Sequence, residues 1–205
     1  DLKGRYLPEN CRETINTILK ETYGYEQFRN LEIYDDLSKG KEKLCISQGQ
    51  LIENVILEAE KAWKGETQVD NILLTAPTGS GKSLLFQLPA IYLGKEYNLL
   101  TIVVSPLKAL IVDQVESLQE LGYMRVAYAS SDLSPEQKME VYRQVREGEI
   151  DLFYLSPELL LSYDIKHFVG ERRIGLVVVD EAHTVTTWGK EFRVDYWFLG
   201  RYLTA

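Results

Sequence analysis

ILLTAPTGSGKSLLFQLPAI, residues 72–91, decides the fold. It opens on the apolar run Ile72, Leu73, Leu74, passes through a glycine-rich turn, and continues with Leu84, Leu85, Leu88 and Ile91. Apolar residues three and four apart share one face of a helix, so the stretch reads as strand, turn, helix. Gly79 and Gly81 lack a Cβ, which lets the backbone curl with its amides inward and approach an anion closely. The helix that starts beside Gly81 adds unpaired amides and the positive end of its dipole. In this arrangement Lys82 reaches the β- and γ-phosphates of a nucleotide, and the Ser83 hydroxyl ligates Mg2+. The spacing meets G-x-x-x-x-G-K-[ST] with one departure, Ala76 at the first glycine. Nucleotide contacts are expected over Thr78, Gly79, Ser80, Gly81, Lys82, Ser83 and Leu84.

A second stretch complements the first. VVVDEAHTVTTWGKEFR, residues 177–193, begins as a β-branched apolar run suited to a strand buried on both faces of a parallel sheet. It stops at Asp180 and Glu181, where open α/β sheets place their ligands. A solvated strand end explains two acids equally well when they are read alone. Beside the Lys82 loop they acquire roles: Asp180 holds magnesium through water, and Glu181 orients and deprotonates the attacking water. Nucleoside triphosphate hydrolysis is therefore the expected chemistry.

The pattern between these stretches alternates strand and helix. Expected elements are helices over 12–22 and 50–63, a polar irregular segment over 30–49, and a strand over 72–75 leading into a helix over 82–93. A strand over 99–105, a helix over 109–121 and a strand over 125–129 follow. Then come a helix over 135–146, opened by the cap Ser134-Pro135-Glu136-Gln137, and strands over 152–155 and 176–180. Strands separated by helices imply a mainly parallel sheet flanked by helices on both faces. Ala76-Pro77, Ser105-Pro106 and Ser156-Pro157 each follow an apolar run and precede a helix, where proline is favourable because its missing amide would be unpaired anyway.

With 45% hydrophobic and 26% charged residues among 205, the composition suits an α/β domain with a substantial core. No apolar run approaches membrane-span length, and no signal peptide is evident, so no membrane partner is expected. The chain starts at Asp1 and is expected to be an excised region of a longer protein. Cys11 and Cys45 stand alone, which predicts no zinc site in this stretch and a reducing, cytoplasmic location, or the nucleus in a eukaryote. A net charge of −8 argues against wrapping duplex DNA by bulk electrostatics, yet it leaves room for a narrow groove that grips one strand through amides, hydroxyls and rings.

Taken together, APTGSGKSLLFQLPA (76–90), VVSPLKALIVDQV (103–115), YLSPELL (154–160) and VVDEAHTVTTWGKEFR (178–193) resemble the first motor domain of superfamily 2 DEAH helicases, specifically the RecQ family, from about Thr14 to Gly200. The resemblance implies a RecA-like P-loop NTPase domain over 1–205, with an N-terminal helical segment over 1–70 and a nucleotide-binding core over 71–205. The partners implied are single-stranded or partly duplex DNA and a second RecA-like domain of the same polypeptide. It implies a 3′–5′ type DNA helicase in which ATP and Mg2+ power translocation and unwinding. The alternatives are a related nucleotide-gated switch or defence-complex subunit without unwinding, and an RNA helicase, although VVSPLKAL lacks the signatures of the RNA-directed groups.

The same resemblance implies residue roles. YGYEQFR, residues 23–29, looks like the RecQ adenine-recognition motif, with Tyr25 as the ring packed on the base and Arg29 as the contacting arginine. The glutamine of that motif falls to Gln50 if 30–48 is an insertion; a surface glutamine at a helix start is the other reading. Trp188, Phe192 and Arg193 look like the aromatic-rich loop that contacts single-stranded DNA, and His183 links that loop to the γ-phosphate water. Stacking on such rings contributes on the order of 1–3 kcal/mol per base; alternatively Trp188 and Phe192, four apart, are core residues of a helix face. Thr187, Lys190 and Val194 depart from the family pattern. Ser105, Lys108 and Gln114 fall in one strand-contacting motif and Ser156 in another, while Lys108 is equally explained as a solvated helix residue.

Overall fold

The computed structural model describes residues 8, 10–34, 43–70, 72 and 81–180. They belong to two compact units, Asp1–Tyr92 and Leu93–Ala205.

In the first unit, α1 (Glu13–Tyr23) buries Ile15, Ile18 and Leu19, which the helical repeat places on one face. It ends at Gly24, whose amide returns to the Lys20 carbonyl. Next comes an antiparallel hairpin, β1 (Asn30–Tyr34) and β2 (Lys43–Ser47), in the register Leu31 to Ile46 and Ile33 to Leu44. This corrects the expectation of an irregular segment: burial alternates along β2 at the period of a strand, with Lys43 and Cys45 exposed, Leu44 partly covered and Ile46 buried. Helix α2 (Gln48–Trp63) starts two residues earlier than expected. Ser47 and Gln50 form a reciprocal capping box there that satisfies the first amides.

One arginine secures this unit. Arg12 donates from Nε to Glu53 Oε1 at 2.7 Å and from a terminal nitrogen to Glu60 Oε1 at 2.7 Å, and it also meets the Tyr92 hydroxyl. Both glutamates are buried residues of α2, so Arg12 neutralises charge that would otherwise be costly to desolvate. Tyr92 lies in α3 (Leu84–Tyr97), a helix that begins after a turn at Lys82 and Ser83. Apart from Ile72, the strand expected over 72–75 lies outside the described residues.

The second unit holds a four-stranded parallel sheet in the order β4-β5-β3-β6. Its elements are β3 (Leu100–Val104), α4 (Lys108–Glu120), β4 (Val126–Ala129), α5 (Pro135–Arg146), β5 (Leu152–Leu155), α6 (Pro157–Ser162), α7 (Ile165–Val169) and β6 (Ile174–Val179). The two central strands, β3 and β5, are buried along their whole length, which accounts for their uninterrupted apolar runs. Side chains alternate between the faces of a strand. Phe153 and Leu155 join a core with Tyr142 and Val145 of α5, Leu159 of α6 and Phe168 of α7. Tyr154 points to the other face, where its hydroxyl meets Gln114 of α4.

A single carboxylate ties the amino ends of all four strands. Asp151, just before β5, accepts from Arg125, just before β4, at 2.6 Å and from Arg172, just before β6, at 2.6 Å. Arg172 also donates to Asn98, ahead of β3, and to the carbonyls of Val145 and Ile150. Gly94 of α3 comes so close that a Cβ there would lie 2.5 Å from the Asp151 carboxyl carbon, so only glycine fits. This end of the sheet is closed by structural charges, and the carboxyl ends are left for chemistry.

Candidate functional site

In the first unit, the phosphate-loop residues within the described chain are Gly81, Lys82, Ser83 and Leu84; Thr78, Gly79 and Ser80 lie outside it. Gly81 has φ +78°, the left-handed region that glycine enters without penalty. Its conformation turns the chain into α3, where the Lys82 and Ser83 carbonyls accept the first helical amides, from Leu85 at 3.0 Å and Gln87 at 2.9 Å. The amides of a first helical turn have no intrahelical acceptor, and the helix dipole adds positive character there. Lys82 is half-buried beside them, a combination suited to polyanionic phosphate.

Three residues of the base-recognition segment are placed in the same unit. Tyr25 is half exposed and stacks on Tyr23, with ring centroids 6.5 Å apart and planes 11° from parallel. Tyr23 is held by its hydroxyl, which donates to Gln87 of α3. One face of a supported aromatic pair is thus available for a planar base. The Arg29 side chain is exposed, while its backbone is anchored: its carbonyl accepts from the Gln48 amide at 2.8 Å and its own amide donates to Gln48 Oε1 at 3.1 Å.

Two glutamines flank Gly49 at the head of α2, and Gln50 is the one implied for base recognition. The Gln50 side chain accepts from the Ser47 amide at 3.0 Å and donates to the Pro8 carbonyl, so it serves the cap of α2. Gln48, only 2% exposed, sits between Arg29 and the phosphate loop, with Nε2 donating to the Gly81 carbonyl at 3.5 Å. It was not singled out from the sequence. The one signal available was two glutamines flanking Gly49 at a helix start.

In the second unit, Asp180 follows β6 directly, and its amide continues the ladder by donating to the Val104 carbonyl at 2.9 Å. Its carboxylate is half-buried and accepts from Gln114 Nε2 at 3.5 Å, and Gln114 Oε1 accepts from the Tyr154 hydroxyl at 2.8 Å. A carboxylate is a hard oxygen donor of the kind magnesium prefers, so Asp180 suits a magnesium ligand; in the first unit, taken by itself, the half-buried Lys82 beside the first amides of α3 suits the phosphates of a nucleotide. Glu181, His183, Trp188, Phe192 and Arg193 lie outside the described residues.

The residues expected to meet a nucleic-acid strand divide by exposure. Ser105 and Ser156, at the carboxyl ends of β3 and β5, are buried, and neither hydroxyl has a hydrogen-bond partner among the described residues. Lys108, at the start of α4, is partly exposed and donates to Ser131 Oγ at 2.7 Å and Asp132 Oδ1 at 2.8 Å. This bond holds the Asp132 carboxyl below the usual range. Exposed pairs of this kind contribute little, so a phosphate can compete for Lys108. Gln114 is turned toward Asp180 and Tyr154.

The profile of the family described as DEAD/DEAH box helicase matches residues 50–203. The chain is 30% identical over 189 residues to a protein named ATP-dependent DNA helicase RecQ from Haemophilus influenzae, and 34% identical over 191 residues to one of the same name from Synechocystis sp.. Each match covers 92% of this chain, which spans 25% and 33% of the length of those relatives. A RecQ from Bacillus subtilis is 32% identical over 180 residues, or 88% of this chain and 25% of that relative. Among solved structures, the DUF1998 helicase MrfA bound to DNA and AMPPNP superposes with a TM-score of 0.52 at 22% identity over 88% of this chain and 22% of that one, a likeness of fold.

Proposed function

Because the chain belongs to the DEAD/DEAH box helicase family, we propose that it is the nucleotide-binding motor domain of a RecQ-like, 3′–5′ type DNA helicase that couples ATP hydrolysis to movement along single-stranded DNA. The observation that carries this reading is Gly81 in the left-handed region, delivering Lys82 and Ser83 to the head of α3. Similarity to RecQ helicases over 92% of the chain supports the choice of DNA over RNA.

Roles follow from the chemistry of each group. Lys82 and the first amides of α3 take the negative charge of the β- and γ-phosphates, and that charge is stabilised as it redistributes during transfer. Tyr25 packs on the base, and Arg29 contacts it. Asp180 would hold magnesium, which when bound supplies positive charge to the phosphate oxygens. Glu181 takes the proton of the attacking water, and His183 relays its position to Trp188, Phe192 and Arg193, on which DNA bases stack. A second motor domain supplies the arginine finger, a contribution on the order of 10³ to 10⁵ in rate, so residues 1–205 alone turn over ATP poorly.

The test is ATPase activity of the full-length protein with single-stranded DNA, duplex DNA and RNA compared at equal nucleotide concentration. Strong stimulation by single-stranded DNA is expected. Stimulation by RNA alone would move the reading to an RNA helicase, and stimulated turnover without strand displacement would move it to a nucleotide-gated switch.

A further inference from the structure

We infer that Gln114 is a positioning residue for the Asp180 carboxylate, held in place from behind by the buried hydroxyl of Tyr154. The inference rests on the reading of Asp180 as the magnesium-side acid. It assigns Gln114 a task distinct from strand contact, which is what its sequence motif implied.

The geometry is specific. Tyr154 lies in β5 and Asp180 follows β6, the two strands that flank β3, with Val103 paired to Tyr154 on one side and to Val178 on the other. Gln114, projecting from α4, therefore spans β3 and joins its two neighbours. The orientation of its amide is fixed by chemistry. A carboxylate can only accept, so the nitrogen faces Asp180, and the oxygen is left to accept from a donor. Tyr154 is fully buried, and its hydroxyl supplies that donor at 2.8 Å. The result is a polarised chain from phenol to amide to carboxylate, in which each link orders the next.

A carboxylate at a strand end can rotate about its terminal bonds. Tethering Oδ2 to Gln114 at 3.5 Å, the long end of hydrogen bonding, favours one rotation. Groups that orient a metal-side ligand typically contribute 10- to 100-fold in metal affinity or activity when removed. The length of this bond places the expected effect near the lower end. The same tether makes the carboxylate sensitive to the position of α4, whose first residue is Lys108.

The test is an equilibrium titration of Mg2+ into the full-length protein with a fluorescent ATP analogue, reading bound nucleotide and not turnover. Gln114→Met, which keeps the length of the side chain without its amide, should raise the Mg2+ concentration for half-maximal binding about 10-fold, and saturating Mg2+ should restore affinity close to that of the parent. Tyr154→Phe should shift the same midpoint in the same direction by a smaller factor, and it carries the test if Gln114→Met melts early. A purely structural role would weaken binding at every Mg2+ concentration. An unchanged Mg2+ midpoint in both variants overturns the inference, as does weaker single-strand binding with an unchanged midpoint, which would return Gln114 to strand contact. If the parent protein shows no Mg2+-dependent nucleotide binding, the underlying functional reading fails and the inference with it.

Discussion

Replacing Asp151 with alanine tests whether one carboxylate holds the amino end of the parallel sheet together. Its side chain and that of Arg172 are 4% and 5% exposed, so the substitution strands a guanidinium where water cannot reach it. Removing one partner of a buried pair costs about 3–5 kcal/mol. Arg125, whose side chain is about half exposed, is rescued by solvent and adds at most about 1 kcal/mol. Against a typical total stability of about 5–15 kcal/mol, this is a large fraction. At roughly 2–4 °C per kcal/mol for a chain of this size, the melting temperature should fall by about 6–20 °C. Urea denaturation followed by circular dichroism measures the loss directly. The double variant Asp151→Leu, Arg172→Met removes both charges and should recover much of it, because the penalty comes from the orphaned charge more than from the missing bond. A loss below about 1 kcal/mol for Asp151→Ala, or a double variant no more stable than the single one, would refute the reasoning.

Two further outcomes are expected. Gly81→Ala places a Cβ 2.6 Å from Gln48 Nε2 and forces a positive φ on an L-residue, a strain of about 1–2 kcal/mol; nucleotide affinity measured by calorimetry should fall on the order of 10-fold while the fold is retained. Burial, with a smaller contribution from Glu53, raises the Cys11 thiol above its ordinary range, so less of it is thiolate at pH 8 and it should alkylate more slowly than exposed Cys45; mass spectrometry of a time course should show Cys45 modified first.

The parts of the fold legible in the sequence were those written in local code. Helix α5 was expected over 135–146 and is found at Pro135–Arg146, because Ser134 and Gln137 form a capping box that a four-residue window displays. Strands β3 and β5 were legible because burial on both faces demands unbroken apolar runs. The hairpin is not legible because KLCIS carries only a short apolar run, Leu44 to Ile46, flanked by polar residues. Helix α7, five residues long, is shorter than any periodicity can establish. The site followed the same rule. Lys82 and Asp180 stand in contiguous motifs, whereas Gln48 and Gln114 meet partners 33 and 66 residues away. The Asp151 cluster unites positions 98, 125, 151 and 172, which no local pattern connects.

The central claim is that Lys82 at the head of α3 serves nucleotide hydrolysis driven by single-stranded DNA. Its most direct test is steady-state ATPase of the full-length protein and its Lys82→Ala variant, with and without single-stranded DNA. The account predicts DNA-stimulated turnover in the parent and a loss on the order of 10²-fold or more in the variant, since a charge aimed at the transferring phosphate is removed. Equal, DNA-stimulated rates in the two proteins would contradict it.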